Sequence, residues 1–314
     1  MATAFIFPGQ GSQAVGMGKA LAHAVTAARS VFDEVDEALG ERLSAVIWEG
    51  PADELTRTRN AQPALMAVSM AVVRALESEG ATVAGHASYV AGHSLGEYSA
   101  LAAAGSLSIS EAARLLRIRG DAMQEAVPEG VGAMAAVLGL ELAAVEVIAA
   151  EAATKDEVCE VANDNAPGQV VVAGHKSAVE RATAIARQQG ARALPLAVSA
   201  PFHCALMQPA AEVMAHALAS AQIHAPVVPL VPNVLAAPLR DPTQIRQRLV
   251  EQVTGTVRWR ESIAWLGDNG ITRLVEVGAG KVLTGLARRI VPDMAASQVG
   301  MPDEVRALAA ALRG

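Results

Sequence analysis

Residues 89–105 read YVAGHSLGEYSALAAAG and change character at a serine that stands between two glycines. Tyr89–Ala91 has the pattern of a short strand, whereas the alanine-rich segment after the serine has the pattern of a helix that ends at Gly105. Gly92-His93-Ser94-Leu95-Gly96 fits G-x-S-x-G, in which the glycines allow a strained strand-to-helix turn. Such a turn exposes the serine hydroxyl and leaves backbone N–H groups at the helix N-terminus free to bind an oxyanion. The stretch predicts a nucleophilic serine, with a helix-capping serine as the alternative.

Short apolar runs alternate with helical segments on both sides of this turn, which is typical of an α/β protein. Ala4–Phe7 has the pattern of a buried strand, and helical periodicity follows over Met17–Val25, Ala28–Leu39 and Ala61–Glu79. Beyond Gly105, we expect Ser110 to cap a helix that stops near Pro128.

The middle third of the chain has a different order of elements. Its strands and helices alternate as β-α-β-β-α-β over Ala133–Leu138, Leu140–Ala153, Val158–Asn163, Gln169–Ala173, Ser177–Gln189 and Ala191–Leu196. This order is the ferredoxin-like pattern. We therefore expect a core formed by residues 1–127 and 199–314 and an inserted small subdomain formed by residues 128–198. A ligand is expected in the cleft between them.

The composition limits the function classes. The 314 residues carry 25 basic and 32 acidic side chains, and the net charge of −7 argues against broad binding to nucleic acid or to an anionic membrane surface. Aromatic residues make up only 3%, too few for platforms that stack bases or sugars. Hydrophobic residues make up 52%, which allows a large core and excludes global disorder.

No targeting or membrane segment is predicted. The N-terminus lacks the basic and long apolar regions of a signal peptide, and the most apolar stretch, Val131–Ala153, is interrupted by three glutamates. The two cysteines, Cys159 and Cys204, are too few for a cysteine zinc site or a disulfide framework, and we expect them to be buried free thiols. These features predict a cytoplasmic protein without a bound metal.

A serine nucleophile needs a base, and the sequence offers seven histidines. His203 follows the strand-like Ala197–Ser199 and precedes a helical stretch, which predicts a loop at the edge of a sheet, where functional side chains are often presented. A structural histidine with satisfied hydrogen bonds is the alternative. His93 lies next to Ser94, and its side chain is expected to point away from the nucleophile.

Arg119 lies on the apolar side of the predicted helix after Ser110. It shares a helical stripe with Leu116 and Met123, whereas the polar face carries Ser110, Arg114, Arg117 and Asp121, the last two spaced for an i,i+4 ion pair. An arginine on an apolar stripe must either extend to solvent or meet an anion. A substrate carboxylate held by two hydrogen bonds and an internal salt bridge are the two alternatives.

Gly9–Ala14 predicts a different function, because it fits the dinucleotide-binding pattern G-x-G-x-x-A directly after a strand. The acidic residues at about the required distance, Asp33 and Glu34, fall inside a predicted helix instead of at a strand end. A dinucleotide-binding module is therefore the weaker hypothesis.

In chain order, these and other motifs resemble the malonyl-CoA:acyl carrier protein transacylase family over essentially the whole chain. The matching stretches are FPGQGSQ at 7–13, QPA at 62–64, GHSLGEY at 92–98, RG at 119–120, MQEAVPEG at 123–130, PGQVV at 167–171, SAPFHCALM at 199–207 and EVG at 276–278. The likeness is greatest to the free-standing bacterial enzymes of dissociated fatty-acid synthesis, since no carrier or ketosynthase module is fused here.

The resemblance implies an α/β-hydrolase-like core with the ferredoxin-like insertion. It also implies transfer of a malonyl group from malonyl-CoA to the phosphopantetheine thiol of an acyl carrier protein, with no permanently bound cofactor. Ser94 would attack the thioester, and His203 would take its proton and later activate the incoming thiol. Backbone N–H groups of Gln10 and Leu95 would form the oxyanion hole, and Arg119 would bind the free carboxylate of the malonyl group.

The resemblance also assigns three supporting positions. A carbonyl of Gln252 would orient the histidine, so that no acidic triad member is required. Phe202 would narrow the space at the acyl α-carbon and favour malonyl over methylmalonyl, and Met123 would line the same pocket, with ordinary core packing as its alternative. The sequence departs from the family pattern where Thr256 replaces a proline and Pro232 replaces an asparagine.

Docking of an acidic carrier protein to this acidic chain would need local basic residues, for which the candidates are Lys176, Arg181, Arg187, Arg192, Lys281, Arg288 and Arg289. Two alternatives retain Ser94 and His203. One is a serine esterase or thioesterase, which has no use for Arg119. The other is the same transfer in polyketide assembly or in malonate decarboxylation. Neither nucleic acid nor a membrane is an expected partner.

Overall fold

The computed structural model describes residues 2–313, so the end residues of the predicted core, Met1 and Gly314, lie outside the described residues. This part of the chain contains nine strands in two sheets. In chain order they are β1 (Thr3–Phe7), β2 (Tyr89–Gly92), β3 (Gly132–Leu138), β4 (Cys159–Ala166), β5 (Gln169–His175), β6 (Arg192–Pro195), β7 (Leu230–Val231), β8 (Arg273–Val277) and β9 (Ala295–Val299).

Fifteen α-helices of residues 2–313 surround the sheets. They are α1 (Lys19–Ala24), α2 (Thr26–Leu39), α3 (Leu43–Glu49), α4 (Ala52–Thr56), α5 (Thr58–Ser78), α6 (Val83–His86), α7 (Gly96–Ala103), α8 (Ile109–Glu125), α9 (Leu142–Ala152), α10 (Lys176–Gln188), α11 (Gln208–Ser220), α12 (Pro242–Thr254), α13 (Trp259–Asp268), α14 (Val282–Ile290) and α15 (Pro302–Arg313). A short 3-10 turn, Ala205–Met207, precedes α11. None of the helices described here is both long and apolar enough to cross a bilayer.

The larger sheet has the order β7-β2-β1-β8-β9, and all of its neighbouring strands are parallel. Its central strand, β1, is buried along its whole length. Phe5 and Phe7 belong to the hydrophobic cluster on one face of the sheet, and Ala4 and Ile6 belong to the cluster on the other. This division follows from the alternation of side chains along a strand and from the burial of both faces in a parallel sheet.

Helices cover both faces of the parallel sheet. The cluster that contains Phe5 includes buried side chains of α2, α5 and α8, and the 21-residue α5 is buried along most of its length. The cluster that contains Ile6 is formed with α13 and α14. The carboxyl ends of β1 and β2 lie at the same edge of the sheet, where parallel sheets usually bind ligands.

The smaller sheet has the order β4-β5-β3-β6, and its strands pair antiparallel. Apolar side chains of α9 and α10 pack against one face of it and form a separate cluster with the strands. Because the chain order is β3-α9-β4-β5-α10-β6, this unit has ferredoxin-like topology. The predicted fold class, an α/β-hydrolase-like core with an inserted ferredoxin-like subdomain, is confirmed.

Three local predictions are wrong. The N-cap of α8 is Ser108, whose extended backbone lets its hydroxyl accept from the N–H of Glu111, whereas Ser110 already lies inside the helix and binds Glu34. Residues 197–199, predicted to be strand-like, form no strand, because the pairing of β6 with β3 ends at Pro195.

The predicted ion pair between Arg117 and Asp121 is also absent from the part of the chain that the structure describes. Arg117 binds Glu41 and the side chain of Asn60, and Asp121 pairs with Arg59 at 2.9 Å. Arg59 and Asn60 lie on α5 and Glu41 lies just after α2, and both of these helices pack against α8. Contacts between elements therefore replace the local i,i+4 contact.

Candidate active site

Ser94 lies in a sharp turn between the last residue of β2 and the first residue of α7. Its backbone has φ 53°, a left-handed conformation that costs energy for a residue with a side chain. The flanking glycines allow close backbone approach: a Cβ on Gly92 would lie 1.9 Å from the carbonyl oxygen of Gly96, and a Cβ on Gly96 would lie 2.3 Å from that of Phe7. The turn therefore requires glycine at both positions and presents the serine side chain at the edge of the sheet.

Gly92→Ala is expected to destabilise the fold by at least about 2 kcal/mol, because its methyl group meets backbone atoms that cannot move aside. Urea unfolding of the two proteins measures this difference. The matched control is Gly285→Ala on the exposed face of α14, where an added Cβ meets no atom within 4 Å. Since alanine is the better helix former, the control is expected to gain up to about 1 kcal/mol. Equal stability of the native and Gly92→Ala proteins would contradict the steric argument.

His203 lies within hydrogen-bonding distance of the serine. Ser94 Oγ is 2.8 Å from His203 Nε2, and His203 Nδ1 is 2.8 Å from the backbone carbonyl oxygen of Gln252. Because that carbonyl only accepts, Nδ1 carries the proton and Nε2 is left to accept from the serine. Burial, together with the positive charge of Arg119, lowers the pKa of His203 to about 3. The imidazole is therefore neutral, as a general base must be, throughout the physiological pH range.

Arg119 is 1% exposed and its guanidinium faces the same serine. Nη1 donates to Gln62 Oε1 at 2.7 Å, and Nη2 donates to Gln252 Oε1 at 2.9 Å and to Ser94 Oγ at 3.3 Å. These partners are a hydroxyl and two neutral amides, with no carboxylate among them, so the internal salt bridge considered from the sequence does not form within residues 2–313. A buried guanidinium that no carboxylate contacts directly can bind an anion from outside the protein.

A cavity of about 310 Å³ opens onto these three side chains. Most of the surface of its wall is apolar and includes Met123, Met134, Leu196, Val198 and Phe202. This combination of an apolar wall with a few convergent polar groups is typical of a small-molecule site. Phe202 and Met123 thus line the same cavity as Ser94.

Two backbone N–H groups, those of Gln10 and Leu95, are available at the cavity wall. Gln10 follows the end of β1, and Leu95 precedes the first residue of α7. Within residues 2–313, neither N–H donates to a protein acceptor. The Gln10 side chain donates to Thr58 Oγ1 at 3.3 Å, which helps to hold this loop beside α5. The two N–H groups can therefore bind an oxygen that carries negative charge.

Comparison with known proteins agrees with this geometry. The family model described as acyl transferase domain matches residues 4–300. The malonyl CoA-acyl carrier protein transacylase of Escherichia coli strain K12 is 48% identical, with 98% of each chain covered. The chain belongs to the malonyl CoA-acyl carrier protein transacylase family.

Solved structures of transacylases have the same fold as this chain. The acyl-carrier-protein-S-malonyltransferase of Bartonella henselae is 56% identical, with 100% of both chains covered and a TM-score of 0.98. A malonyl-transacylase in complex with its type II PKS acyl-carrier protein is 43% identical, covering 97% of this chain and 98% of the other, with a TM-score of 0.93. The family resemblance predicted from the sequence motifs is confirmed.

Three residues of this transacylase lie next to the predicted site, and the sequence analysis assigned them no role. The side-chain oxygen of Asn233 accepts from the backbone N–H of Ser94 at 2.7 Å, and its amide donates to the carbonyl of Gly92 at 2.7 Å. Gln62 holds Arg119, and the carboxyl of Glu97 is buried behind the serine. The motifs QPA and GHSLGEY contain two of them, but a motif does not state which atoms its residues contact.

The two departures from the family pattern leave this network intact. Thr256 donates its hydroxyl to the carbonyl of Val161 at 2.7 Å, which ties the end of α12 to β4. Asn233, directly after Pro232, retains its contacts with the turn around Ser94. The Gln252 carbonyl therefore still lies where it accepts from His203.

Two sequence patterns of this transacylase have structural explanations. His93 turns away from the nucleophile, and its Nε2 lies 2.8 Å from Asn165 Oδ1. Gly9 of the dinucleotide-like pattern allows close packing of its loop against the turn, since a Cβ there would lie 2.7 Å from the His93 carbonyl oxygen.

The free thiols of Cys159 and Cys204 are both buried.

Proposed function

We propose that the protein transfers a malonyl group from malonyl-CoA to the phosphopantetheine thiol of an acyl carrier protein through a malonyl-Ser94 intermediate. The observation that carries this proposal is the position of Ser94 Oγ, which lies 2.8 Å from His203 Nε2 and 3.3 Å from Arg119 Nη2 at the wall of one cavity. A base and a cation thus lie beside a single hydroxyl. In a reaction on an acyl group with a free carboxylate, the base activates the hydroxyl and the cation binds the carboxylate.

In the first half of the reaction, Ser94 Oγ attacks the thioester carbonyl carbon while His203 Nε2 accepts the hydroxyl proton. The negative charge that develops on the carbonyl oxygen is bound by the backbone N–H groups of Gln10 and Leu95. The C–S bond then breaks, and the proton on His203 passes to the departing CoA sulfur. Free CoA leaves, and the malonyl ester of Ser94 remains.

In the second half, the same groups act in the reverse direction. His203, neutral again, accepts the proton of the incoming phosphopantetheine thiol as its sulfur attacks the ester carbonyl carbon. The C–O bond to Ser94 breaks, and His203 returns the proton to the serine oxygen. The Gln252 carbonyl stabilises the protonated imidazole in both halves because it accepts from Nδ1.

Arg119 and Phe202 account for selectivity in this proposal. The guanidinium binds the malonyl carboxylate, and acetyl and longer alkyl thioesters lack this group and cannot make the contact. Phe202, directly before His203, lies on the cavity wall and limits the space beside the acyl α-carbon. Met123 is 1% exposed and fills the wall next to Gln62.

Phe202→Ser is expected to lower the preference for malonyl-CoA over methylmalonyl-CoA by about tenfold or more, because the smaller side chain leaves room for the extra methyl group. Competition between the two thioesters for acylation of the serine, followed by intact mass spectrometry, measures the ratio. Phe202→Leu, which retains most of the bulk, serves as the control and should stay near the native ratio. An unchanged preference in Phe202→Ser would remove this residue from the selectivity argument.

The test of the proposed function is rapid mixing of the native protein with malonyl-CoA, followed by addition of an acyl carrier protein that bears phosphopantetheine. We expect a burst of CoA equal to the amount of protein, one malonyl group on the chain, and its loss to the carrier. Continuous release of free malonate without a carrier would instead indicate the esterase or thioesterase alternative. Arg119 favours transfer of a carboxylated acyl group over that alternative.

The pathway that the carrier protein serves is a further part of the proposal. We infer fatty-acid synthesis because the relatives at 48% identity are free-standing transacylases, whereas the solved complex with a type II PKS carrier keeps polyketide synthesis as the second candidate. Malonate decarboxylation has no such observation in its favour. Comparison of kcat/KM with carriers from the two pathways distinguishes them.

We propose that the carrier docks beside the cleft between the core and residues 128–198. Of the basic residues considered, Arg181, Arg187, Arg288 and Arg289 are held by other protein groups. The side chains of Lys176, Arg192 and Lys281 have no hydrogen-bond or ion-pair partner within residues 2–313 and are available to an acidic partner.

We further propose that the reaction takes place in the cytoplasm, because the buried free thiols fit a reducing compartment. Both substrates are free molecules, and the proposed reaction uses no permanently bound cofactor.

A further inference from the structure

A buried carboxyl group lies behind the nucleophile and has no role in the reaction described above. Glu97 is 0% exposed and stands in the first turn of α7, three residues after Ser94. Its Oε2 accepts from the backbone N–H of Asn233 at 2.9 Å and from Gln252 Nε2 at 2.8 Å. Its Oε1 is buried and has no hydrogen-bond partner among the described residues.

The side-chain amide of Gln252 connects this carboxyl group to the cation of the site. Its oxygen accepts from Arg119 Nη2 at 2.9 Å, and its nitrogen donates to Glu97 Oε2. An amide has one accepting and one donating end, so it can lie between a guanidinium and a carboxylate with both ends satisfied. Gln252 therefore serves His203 through its backbone and links Arg119 to Glu97 through its side chain.

The charges around this link cancel only when Glu97 is ionised. The other titratable groups nearby are Tyr98, which interacts with Arg119 and Glu97, His203, which interacts with Arg119, and His93, which interacts with His203. Burial lowers the pKa of both histidines and raises the pKa of the tyrosine, so all three are neutral near pH 7. Among the described residues, Arg119 touches no carboxylate, and Glu97 is its buried counter-charge through Gln252.

Glu97 can change its protonation state without breaking the network. Both of its hydrogen bonds end on Oε2, so a proton can occupy Oε1 while Oε2 continues to accept from Asn233 and Gln252. Burial raises the pKa of Glu97 to about 7, against the lowering effect of these hydrogen bonds and of Arg119. Both forms are therefore accessible at physiological pH.

We propose, on the basis of the proposed function, that Glu97 is the counter-charge of Arg119 in the empty site and takes up one proton from solvent when a malonyl carboxylate binds to Arg119. The incoming carboxylate would otherwise make the buried charges sum to −1, and conversion of the Glu97 carboxylate to a carboxylic acid restores neutrality. Glu97 is thus a positioning residue that acts through Gln252. It adjusts the site to the charge of its substrate and makes no contact with the acyl group.

The experiment uses the Ser94→Ala protein, which lacks the proposed nucleophile, so that binding can be measured without acyl transfer. Calorimetric titration with malonyl-CoA, in two buffers of different ionisation enthalpy near pH 7.5, measures the protons taken up. Acetyl-CoA is the matched ligand, since it has the same phosphates and lacks the carboxylate. We expect malonyl-CoA to take up about 0.5–1 proton more than acetyl-CoA. The Kd for malonyl-CoA should also rise about tenfold between about pH 7 and about pH 8.5, relative to that for acetyl-CoA.

The control variant is Ser94→Ala combined with Glu97→Gln, which keeps an accepting oxygen for Gln252 and Asn233 but cannot titrate. Its excess proton uptake should vanish, and its ratio of Kd values should be independent of pH. If the double variant does not fold, infrared difference spectra of Ser94→Ala provide the second measurement: a carboxylic acid band should appear with malonyl-CoA and not with acetyl-CoA.

Binding of malonyl-CoA without excess proton uptake would overturn this inference alone. Uptake that persists in the double variant would do the same, because it would assign the proton to another group such as His203. If malonyl-CoA does not bind at all, the proposed function itself is wrong.

Discussion

Ser94→Ala is expected to abolish the malonyl adduct and to lower the transfer rate on the order of 10⁴-fold or more, because the proposed reaction has no other nucleophile in the cavity. Intact mass spectrometry after brief exposure to malonyl-CoA detects the adduct, and transfer to the carrier protein gives the rate. The substitution should leave the fold unchanged, since alanine and serine bear similar strain at φ 53°.

Ser99→Ala is the matched control for this prediction. Ser99 is 0% exposed on the same helix, α7, and its hydroxyl has no hydrogen-bond partner within residues 2–313. Loss of that hydroxyl should leave both the adduct and the rate near their native values. A malonyl adduct of normal yield in Ser94→Ala would place the nucleophile elsewhere and remove the basis of the proposed mechanism.

Arg119→Ala is expected to remove the preference for malonyl-CoA over acetyl-CoA while leaving slow transfer of either group. Loss of a buried charge-assisted contact costs about 3 kcal/mol, which corresponds to roughly a hundredfold in kcat/KM for malonyl-CoA. Acetyl-CoA makes no such contact, so its kcat/KM should fall much less. The ratio of the two values is the quantity to measure, because it does not depend on the fraction of active protein.

Two further variants test whether the preference for malonyl-CoA depends on the shape of the Arg119 side chain and on its position in α8. Arg119→Lys keeps the positive charge but lacks the planar fork that holds Gln62 and Gln252 at once, so it should recover only part of the preference. Arg114→Ala removes an exposed arginine from the same helix and should leave the preference unchanged. A native ratio in Arg119→Ala would show that the acyl carboxylate is recognised by another group.

The most local features of this protein follow from its sequence. A G-x-S-x-G stretch between a strand pattern and a helix pattern predicts a strained turn, because the close approach of Gly92 to Gly96 lies within a few residues of chain, whereas the approach of Gly96 to Phe7 depends on the packing of β1. The β-α-β-β-α-β order likewise predicts the antiparallel sheet, since its strands are consecutive in the chain. Arg119 was identified by its place on an apolar stripe, and the structure shows it buried.

Features that depend on packing between distant segments could not be predicted in this way. The ion pair expected between Arg117 and Asp121 gave way to partners on neighbouring elements. The short strand β7 has only two residues, too few for a periodic pattern, yet its pairing with β2 brings the loop that carries Asn233 to the serine. Local spacing therefore indicated Ser94 as the proposed nucleophile, but it did not indicate Asn233, which binds the backbone N–H of Ser94.

The contacts that complete the site join residues far apart in the chain. The proposed base, His203, lies 109 residues from Ser94, and Gln252, whose amide binds both Arg119 and Glu97, lies 133 residues beyond Arg119. Residue types and local periodicity are properties of the sequence, so the nucleophile and the candidate base and cation could be named from it. Their distances, the burial that keeps His203 neutral and the link to Glu97 arise only when parallel strands bring their carboxyl ends to one edge of a sheet and helices exclude water from it.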